Sequence, residues 1–503
     1  MLKSSLLEII RTFSKEELKS FEDFVRSPYF NKKENVIKLF FEIKKYAPDL
    51  KDENLEKEKV WKVLFPDAGY NYGIMKNLIF DLNKLVEQFI ISLKFNKDEY
   101  KQNEYLMNAL LDREINKIYK NKFNSINLKP DLKILDSGIL NVSAHMDYLN
   151  AMFYLKLFYH HQFEQNYDLE KLQVNRDSSL IAGFLIKLFG AYNDIVVIHT
   201  RAEKFDPGEN IVSKFLGLIS PGLITIIDSI PLTSDVNSAY VMIYYQMYLA
   251  LTEKTEKQYL AFKKSVFDNL SILPKVNIKA IHNCLVSAAI FSRFETLDRD
   301  REILEILDSL IEHNAITEIG NDKIALHVFN TYASICYGFA DAKKLKLFAD
   351  RFIDKLDADV KKNTNIHINF QLSFLNKSFD DALNYISMHD IPYIYLKPVI
   401  RYDKAMCLYE TDNYEMFLNE HDSLKHFLKN NIHLPERHKK SLNFKFSIIK
   451  RLFKLRQNFD SYECIKLKKE ISGNETLSSG WLAGKFEEIE KNNSHKLKVK
   501  TKF

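Results

Sequence analysis

Apolar residues recur along most of this chain at the spacing of an α-helix, three or four positions apart. In the N-terminal part, one such face is formed by Met75, Leu78, Leu82, Leu85 and Phe89. Side chains at this spacing lie on one side of a helix and form a stripe that packs on a core. The pattern therefore predicts a helical protein.

The first hundred residues also contain signals for where helices begin and end. Ser14 and Glu17 form a capping box, in which a serine caps the helix and a glutamate three positions later reaches back to the cap. This helix is predicted to run through Val25 and to stop at Ser27-Pro28, because the residue before a proline disfavours helical geometry. We predict an N-terminal helical domain at residues 1–98, bounded by the charged run at 96–104.

Residues 236–490 show a repeating rhythm of helix pairs separated by short polar turns. The second helices of successive pairs are predicted to begin near Thr255, Asp298, Asp341, Ser378 and Asn413, with one more near Phe459. The first five starts are 43, 43, 37 and 35 residues apart. Helix hairpins repeating every ~34–47 residues are typical of an α-solenoid, in which each hairpin buries its apolar face on its neighbours.

Composition supports an all-α fold. The chain has 13 Gly and 11 Pro in 503 residues, just under 5%, whereas average usage is nearer ~12%. An all-β fold needs more turn residues than this. Six of these 24 residues fall between Pro207 and Pro231, which predicts either a break in the helical stack or short helices joined by kinks. We therefore place a helical region at 99–235 and the repeats at 236–490.

The net charge of +5 belongs to the C-terminus. Residues 491–503 contain five lysines and no acid, and the rest of the chain is balanced at 67 cations and 67 anions. A dedicated nucleic-acid binder carries its basic residues as a patch on the folded body. We interpret 491–503 as a solvated basic tail, with an electrostatic tether to an anionic surface as the alternative.

Cysteine usage and apolar runs bear on the cellular compartment. Cys284, Cys336, Cys407 and Cys464 are widely separated and lie in apolar helical patterns, which predicts reduced core thiols and a cytoplasmic protein. The N-terminus lacks a signal-peptide pattern. The longest uncharged stretch, 236–252, is predicted to be a buried helix, since a membrane span needs ~20 apolar residues. We expect no transmembrane segment.

Common catalytic and nucleotide-binding motifs are absent from the sequence. There is no GxGxxG, P-loop, GxSxG, HExxH or EF-hand pattern. His421, His426, His433 and His438 are 5, 7 and 5 residues apart, which does not match the i, i+3 or i+4 spacing of metal ligands on one helix face. We expect no catalytic residue, cofactor or metal, although an enzyme whose residues meet only in the fold stays an alternative.

The most informative stretch is 437–456, which contains eight Lys or Arg and no acid. On a helix it has two opposite apolar stripes: Leu442, Phe446, Ile449 and Phe453 form one, and Phe444, Ile448, Leu452 and Leu455 form the other. An arc between the stripes holds Lys439, Lys440, Lys450, Arg451 and Lys454. This arc is either an ordinary solvated face or a docking strip for an acidic peptide, carboxylate or phosphate.

Residues 60–85 have the outline of a helix-turn-helix, with Asn71, Tyr72, Lys76 and Asn77 at the start of the second helix. Recognition of the DNA major groove needs exposed polar and basic residues there and cations near the phosphates. Residues 70–95 contain only three lysines, against two acids. A structural hairpin is therefore the favoured interpretation, and DNA binding is the alternative.

The segment NFQLSFLNKSFDDALNYI, residues 369–386, resembles a tetratricopeptide (TPR) repeat. Residues 379–383 match the start of that family's second helix, where the small Ala382 would let two helices approach closely. The unit that begins at Asp403 has a similar outline. The family's early aromatic and its turn proline are mostly missing and the unit length varies, so residues 236–490 are TPR-like. The resemblance implies a binding scaffold and no catalytic residues.

A second resemblance covers FSKEELKSFEDFVRSPYFN, residues 13–31, together with the late segment at 479–482. Both are similar to a family of uncharacterised bacterial proteins, which implies no function. From all these features we expect a non-enzymatic scaffold or adaptor that binds a partner protein or peptide, possibly an acidic one. The alternative is a DNA-binding regulator with a helical-repeat sensor domain.

Overall fold

The computed structural model describes residues 4–50, 53–125, 153, 169–202, 207–229, 235–273, 275–318, 322–388, 397–431, 434, 436–472 and 480–493. Every regular element in these ranges is a helix, which confirms the predicted all-α class. The one β-type pairing within them is an isolated bridge between Thr255 and Arg293. Three earlier interpretations lie outside the described residues: the tail beyond Asn493, His433, and position 479 of the late segment.

The chain divides into two compact units. Among the described residues, the first unit holds those up to Ser125 with Phe153 and Leu169, and the second holds those from Glu170 onward. The predicted boundary at residue 98 lies inside the first unit, where the Gln102 side chain donates a hydrogen bond to the Phe95 carbonyl at 2.9 Å. The domain limits proposed from the sequence stay predictions.

The described helices of the first unit are α1 (Ser5–Ile10), α2 (Lys15–Arg26), α3 (Glu34–Lys44), α4 (Lys57–Leu64), α5 (Tyr72–Asn96), α6 (Glu99–Asp112) and α7 (Asn116–Ser125). The capping box at Ser14 is present with both of its hydrogen bonds. All five apolar residues singled out on α5 are buried. Phe21 of α2 packs against both α3 and α5: its ring centroid lies 4.9 Å from that of Phe40 and 5.1 Å from that of Phe89.

The second unit begins at Glu170, within α8 (Leu169–Ala202), and continues with α9 (Ile211–Ile219) and α10 (Leu223–Ser229). The short helices α9 and α10 are joined by a 3₁₀ turn at 220–222, so this part of the Gly- and Pro-containing segment consists of short helices joined by kinks. By length and composition, Leu180–His199 and Ile211–Ser229 are apolar enough to cross a membrane. The first segment is 50% buried and the second 17%, and the core helix of a soluble protein passes the same test.

Helix pairs follow: α11 (Asp235–Glu253) with α12 (Glu256–Phe267), α13 (Lys275–Phe291) with α14 (Arg299–Glu312), α15 (Leu326–Gly338) with α16 (Ala342–Phe352), α17 (Ala358–Leu375) with α18 (Phe379–Ser387), α19 (Lys397–Glu410) with α20 (Tyr414–Asn430), and α21 (Glu436–Gln457) with α22 (Ser461–Ser472). A last helix, α23, covers Trp481–Asn492. The N-caps of α12, α14, α16, α18 and α20 are the five residues near which the sequence predicted a second helix to begin.

The chemistry of helix capping explains why the starts of these helices can be predicted from the sequence. The side chains of Thr255, Asp298, Asp341 and Asn413 each accept a hydrogen bond from a backbone N–H in the first helical turn. Those N–H groups have no partner within the helix, so an oxygen-bearing side chain at the cap stabilises the start by about 1 kcal/mol. Capping thus accounts for the acid at Asp298.

Helix α21 is packed on two sides, as its two apolar stripes predicted. Seven of the eight stripe residues are at most 6% exposed, and Phe444 is partly buried. The Phe453 ring contacts Tyr409 of α19 and Phe417 of α20, at centroid distances of 4.9 and 5.2 Å. The uncharged stretch 236–252 lies within α11, which is likewise a core helix. The four cysteines are free thiols, three of them buried and Cys284 partly buried.

Candidate functional site

The five cations singled out on α21 lie along about 22 Å of helix, at 1.5 Å per residue. Their surroundings differ, because α21 is flanked by other helices on both apolar sides. What each cation can contact depends on its exposure, on whether an acid of the same chain already neutralises it, and on the helix that it faces.

Two of the five cations have acidic partners within the chain. The Arg451 guanidinium donates hydrogen bonds to Glu463 and, at 2.5 Å, to Glu470, both on α22. The Lys439 ammonium lies 2.8 Å from Glu436, one helical turn earlier, and this hydrogen bond lowers the pKa of that glutamate. Arg451 therefore ties α21 to α22, and Lys439 serves the first turn of its own helix.

The other three cations, Lys440, Lys450 and Lys454, form no ion pair within the part of the chain that the structure describes. Lys440 and Lys454 are exposed, and Lys450 is partly buried. Burial lowers the pKa of His421 on α20, and the charges of Lys425 and Lys450 lower it further. Lys425 lies on α20 itself and is paired with Asp422, so of these two charges only that of Lys450 comes from α21.

The hairpin at 60–85 has a longer connection than a helix-turn-helix. Seven residues, 65–71, separate α4 from α5, whereas the DNA-binding motif joins its helices by ~3–4 residues. The Asn71 side chain caps α5 by accepting a hydrogen bond from the Ile74 N–H at 3.0 Å. Tyr72, Lys76 and Asn77 are exposed. DNA binding by this segment stays a prediction, and the described geometry adds no support to it.

A groove between α16 and α17 was not foreseen from the sequence. We call it the α16–α17 groove; it is an open cleft of about 450 Å³. Its floor is apolar, formed by Ala349, Ile368 and Leu372. Ile368 and Ala349 are 4% and 5% exposed, so the floor is part of the core on which the two helices pack.

The walls of the α16–α17 groove are polar. Asn365, Asn369 and Asn376 line it from the α17 side, and Lys343, Lys346 and Asp350 line it from the α16 side. None of these six side chains forms a hydrogen bond or ion pair with another described residue. Buried polar groups normally find partners within the protein, whereas groups at an open groove are left for water or a ligand.

The three asparagines share one helix face with Leu372, because positions 365, 369, 372 and 376 are separated by 4, 3 and 4 residues. This periodicity was present in the sequence. It was missed because a row of amides on a helix has no meaning until a neighbouring helix turns that face into the wall of a groove.

A second cleft, the Lys445 cleft, lies between α19 and α21 and has a volume of about 320 Å³. Its walls are mostly apolar: Pro398, Val399, Tyr402, Leu434 and Leu442. The Lys445 ammonium lies 4.9 Å from the centroid of the Tyr402 ring, a cation–π distance. Lys445 was not among the five candidate cations because it lies off their arc.

No acceptor among the described residues lies within hydrogen-bond range of the Lys445 ammonium. Burial lowers the pKa of Lys445, and the more distant negative charge of Asp403 opposes this shift. Asp403 is 4% exposed, and one of its oxygens lies 3.0 Å from Nε2 of His367. The lysine is therefore partly buried against its apolar walls, with no carboxylate among the described residues in ion-pair range.

No cluster of three or more His, Cys, Asp or Glu side chains suited to a metal ion occurs among the described residues. The sequence matches no protein-family model, no curated protein and no solved structure. What the chain does must therefore be argued from its own helices and clefts.

Proposed function

We propose that this chain is a non-enzymatic adaptor that binds an extended, acidic segment of a partner protein in the α16–α17 groove. The observation that carries the proposal is the groove's composition: an apolar floor between polar walls whose amides and ammonium groups have no partner among the described residues. Amides bind peptide backbone, since each offers donors and an acceptor, and the two lysines favour acidic side chains.

The spacing of the asparagines suits an extended peptide. Asn365 and Asn369 are separated by one helical turn, about 6 Å along the axis. An extended chain repeats every two residues, about 6.6 Å, so amides at this spacing meet successive peptide units that point the same way. The row from Asn365 to Asn376 covers about 16 Å, the length of about five extended residues.

A TPR-like solenoid is part of the proposal. Its support is the series of helix pairs with short connections and capped second helices between Asp235 and Ser472. In such a stack each pair buries its apolar face on its neighbours and leaves grooves between helices for a ligand. Binding by grooves of this kind requires no catalytic residue.

Only three of the five candidate cations on α21 are part of the proposal, and we call these three the basic strip. Lys440, Lys450 and Lys454 are proposed as a second contact for acidic residues of the partner. Arg451 and Lys439 already neutralise acids of this chain, so they are held back from a partner and contribute to the stability of the α21 region instead.

The test uses the full chain and a display library of 12-residue peptides. Peptides that are selected are synthesised, and their affinities are measured by fluorescence anisotropy at two salt concentrations. A groove variant carries Asn365→Ala, Asn369→Ala, Lys343→Glu and Lys346→Glu. We expect it to lose at least about tenfold in affinity, because charge-assisted and backbone hydrogen bonds are removed together.

The matched control is Lys362→Glu, an exposed lysine on α17 outside the groove, which should bind normally. A strip variant with Lys440→Glu, Lys450→Glu and Lys454→Glu measures the second contact separately. If no peptide is selected, or if the groove variant binds as tightly as the wild type, the proposal fails. Steeply salt-dependent binding of duplex DNA by the full chain would favour the regulator alternative instead.

A further inference from the structure

The Lys445 cleft contains a positive charge that no described acid of the chain pairs with. Its lysine extends along apolar walls and over the Tyr402 ring, with no described acceptor in reach. Lys445 is partly buried, and a cation that loses part of its hydration without gaining a partner is costly. The ring face offsets only part of this cost.

The composition of the walls limits what would satisfy the lysine. The residues around it supply apolar surface, from Val399, Leu434 and Leu442, and little polar surface besides Ser441. A strongly hydrated anion such as free phosphate would leave most of its oxygens unpaired against these walls. A single carboxylate on an apolar body matches both features, because one end meets the ammonium and the other covers the walls.

We propose that the Lys445 cleft binds a small organic monocarboxylate with an apolar body, with Lys445 contacting the carboxylate. The volume of about 320 Å³ lies at the lower end of the ~300–1,000 Å³ typical of small-molecule sites. Asp403 contacts His367 and forms no ion pair with Lys445, so the ammonium is left for a ligand. This site is separate from the α16–α17 groove, and its test does not depend on the proposed adaptor function.

The probe is octanoate, titrated into the full chain by isothermal calorimetry, with octanol as a neutral molecule of the same length. We expect one octanoate to bind per chain and octanol to bind more weakly. Lys445→Met keeps the length and apolar stem of the side chain but removes the charge, and should weaken octanoate binding about tenfold or more while leaving octanol unchanged.

Two further variants separate the charge from the shape of the cleft. Lys429→Met, at an exposed lysine on α20 outside the cleft, should leave octanoate binding unchanged. Val399→Trp places a large ring on a wall residue that is 44% exposed, and should block octanoate while Lys445 stays in place. Circular dichroism confirms that each variant is folded. Equal octanoate affinity in wild type and Lys445→Met, or no octanoate binding by the wild type, would overturn the proposal.

Discussion

His282 and Lys445 are two bases of the second unit whose pKa values are lowered by burial, but their surroundings differ. His282 on α13 is fully buried, its Nδ1 lies 2.7 Å from the Ile278 carbonyl, and its Nε2 lies 3.0 Å from the Ser309 hydroxyl. The tautomer with a proton on Nδ1 satisfies both contacts. Lys445 lines an open cleft and has no such partners.

The difference separates a structural polar group from a candidate binding group. At His282 the chain itself supplies a donor and an acceptor, so the neutral imidazole belongs to the packing of α13 on α14. At Lys445, and at the asparagines of the α16–α17 groove, the polar atoms face a cleft and the partners are left to solvent or a ligand. Removing the polar side chain should therefore destabilise the protein at His282, change little at the groove asparagines and stabilise it slightly at Lys445.

The largest effect is expected from acid titration of His282. Burial lowers its pKa from 6.5 to about 4, with a smaller contribution from His313. The unfolded chain binds this proton more readily, so stability is full above pH 6.5 and falls as the pH drops toward 4. At 1.36 kcal/mol per pH unit, the loss approaches about 3 kcal/mol.

Urea unfolding followed by circular dichroism between pH 7.5 and 4 measures this loss. His282→Gln, which does not titrate, should show a flatter pH dependence than the wild type. His426→Gln, at an exposed position, should leave the slope unchanged. If His282→Gln and the wild type lose the same stability between pH 7.5 and 4, His282 is not the group responsible for the loss.

The next effect concerns the paired and unpaired cations of α21. Arg451→Met leaves Glu463 and Glu470 without their partner, and we expect it to lower the unfolding free energy by about 1–2 kcal/mol. Lys454→Met removes an exposed cation without a described ion pair and should change it by less than about 0.5 kcal/mol. Equal effects in chemical denaturation would show that the Arg451 contacts contribute nothing to stability.

A smaller change of opposite sign is expected at Lys445. Because its charge is desolvated and unpaired, Lys445→Met should raise the unfolding free energy at neutral pH by about 1 kcal/mol. The lowered folded-state pKa makes this gain shrink as the pH rises through that pKa, since the wild-type lysine then becomes neutral. Lys440→Met is the control without an effect; a destabilised Lys445→Met would mean that the lysine supports the fold.

The smallest effect is expected in the α16–α17 groove. Asn365→Ala combined with Asn369→Ala should change the unfolding free energy by less than about 0.5 kcal/mol, because no intrachain hydrogen bond is lost. The same pair is expected to weaken binding of a selected peptide. A clear loss of stability in thermal unfolding would instead assign these amides a structural role.

The helices could be predicted from the sequence because the residues that determine them are close together along the chain. The N-caps at Thr255, Asp298, Asp341, Ser378 and Asn413 and the two stripes of α21 depend on residues a few positions apart. The clefts could not be predicted. The α16–α17 groove lies between consecutive helices, but which faces meet there depends on their packing, and the Lys445 cleft joins helices that are distant in sequence. Lys445 comes from one helix and Tyr402 from another, 43 residues earlier.

The sequence by itself determined the all-α class, the starts of the second helices and the two buried faces of α21. Tertiary structure alone decided that Arg451 is neutralised by α22, that Lys445 is desolvated beside Tyr402, and that the asparagines of α17 line a groove. The physical reason is range: caps and periodicity act within one or two helical turns. Whether a polar group is paired, buried or left to a ligand depends on which helix packs against it.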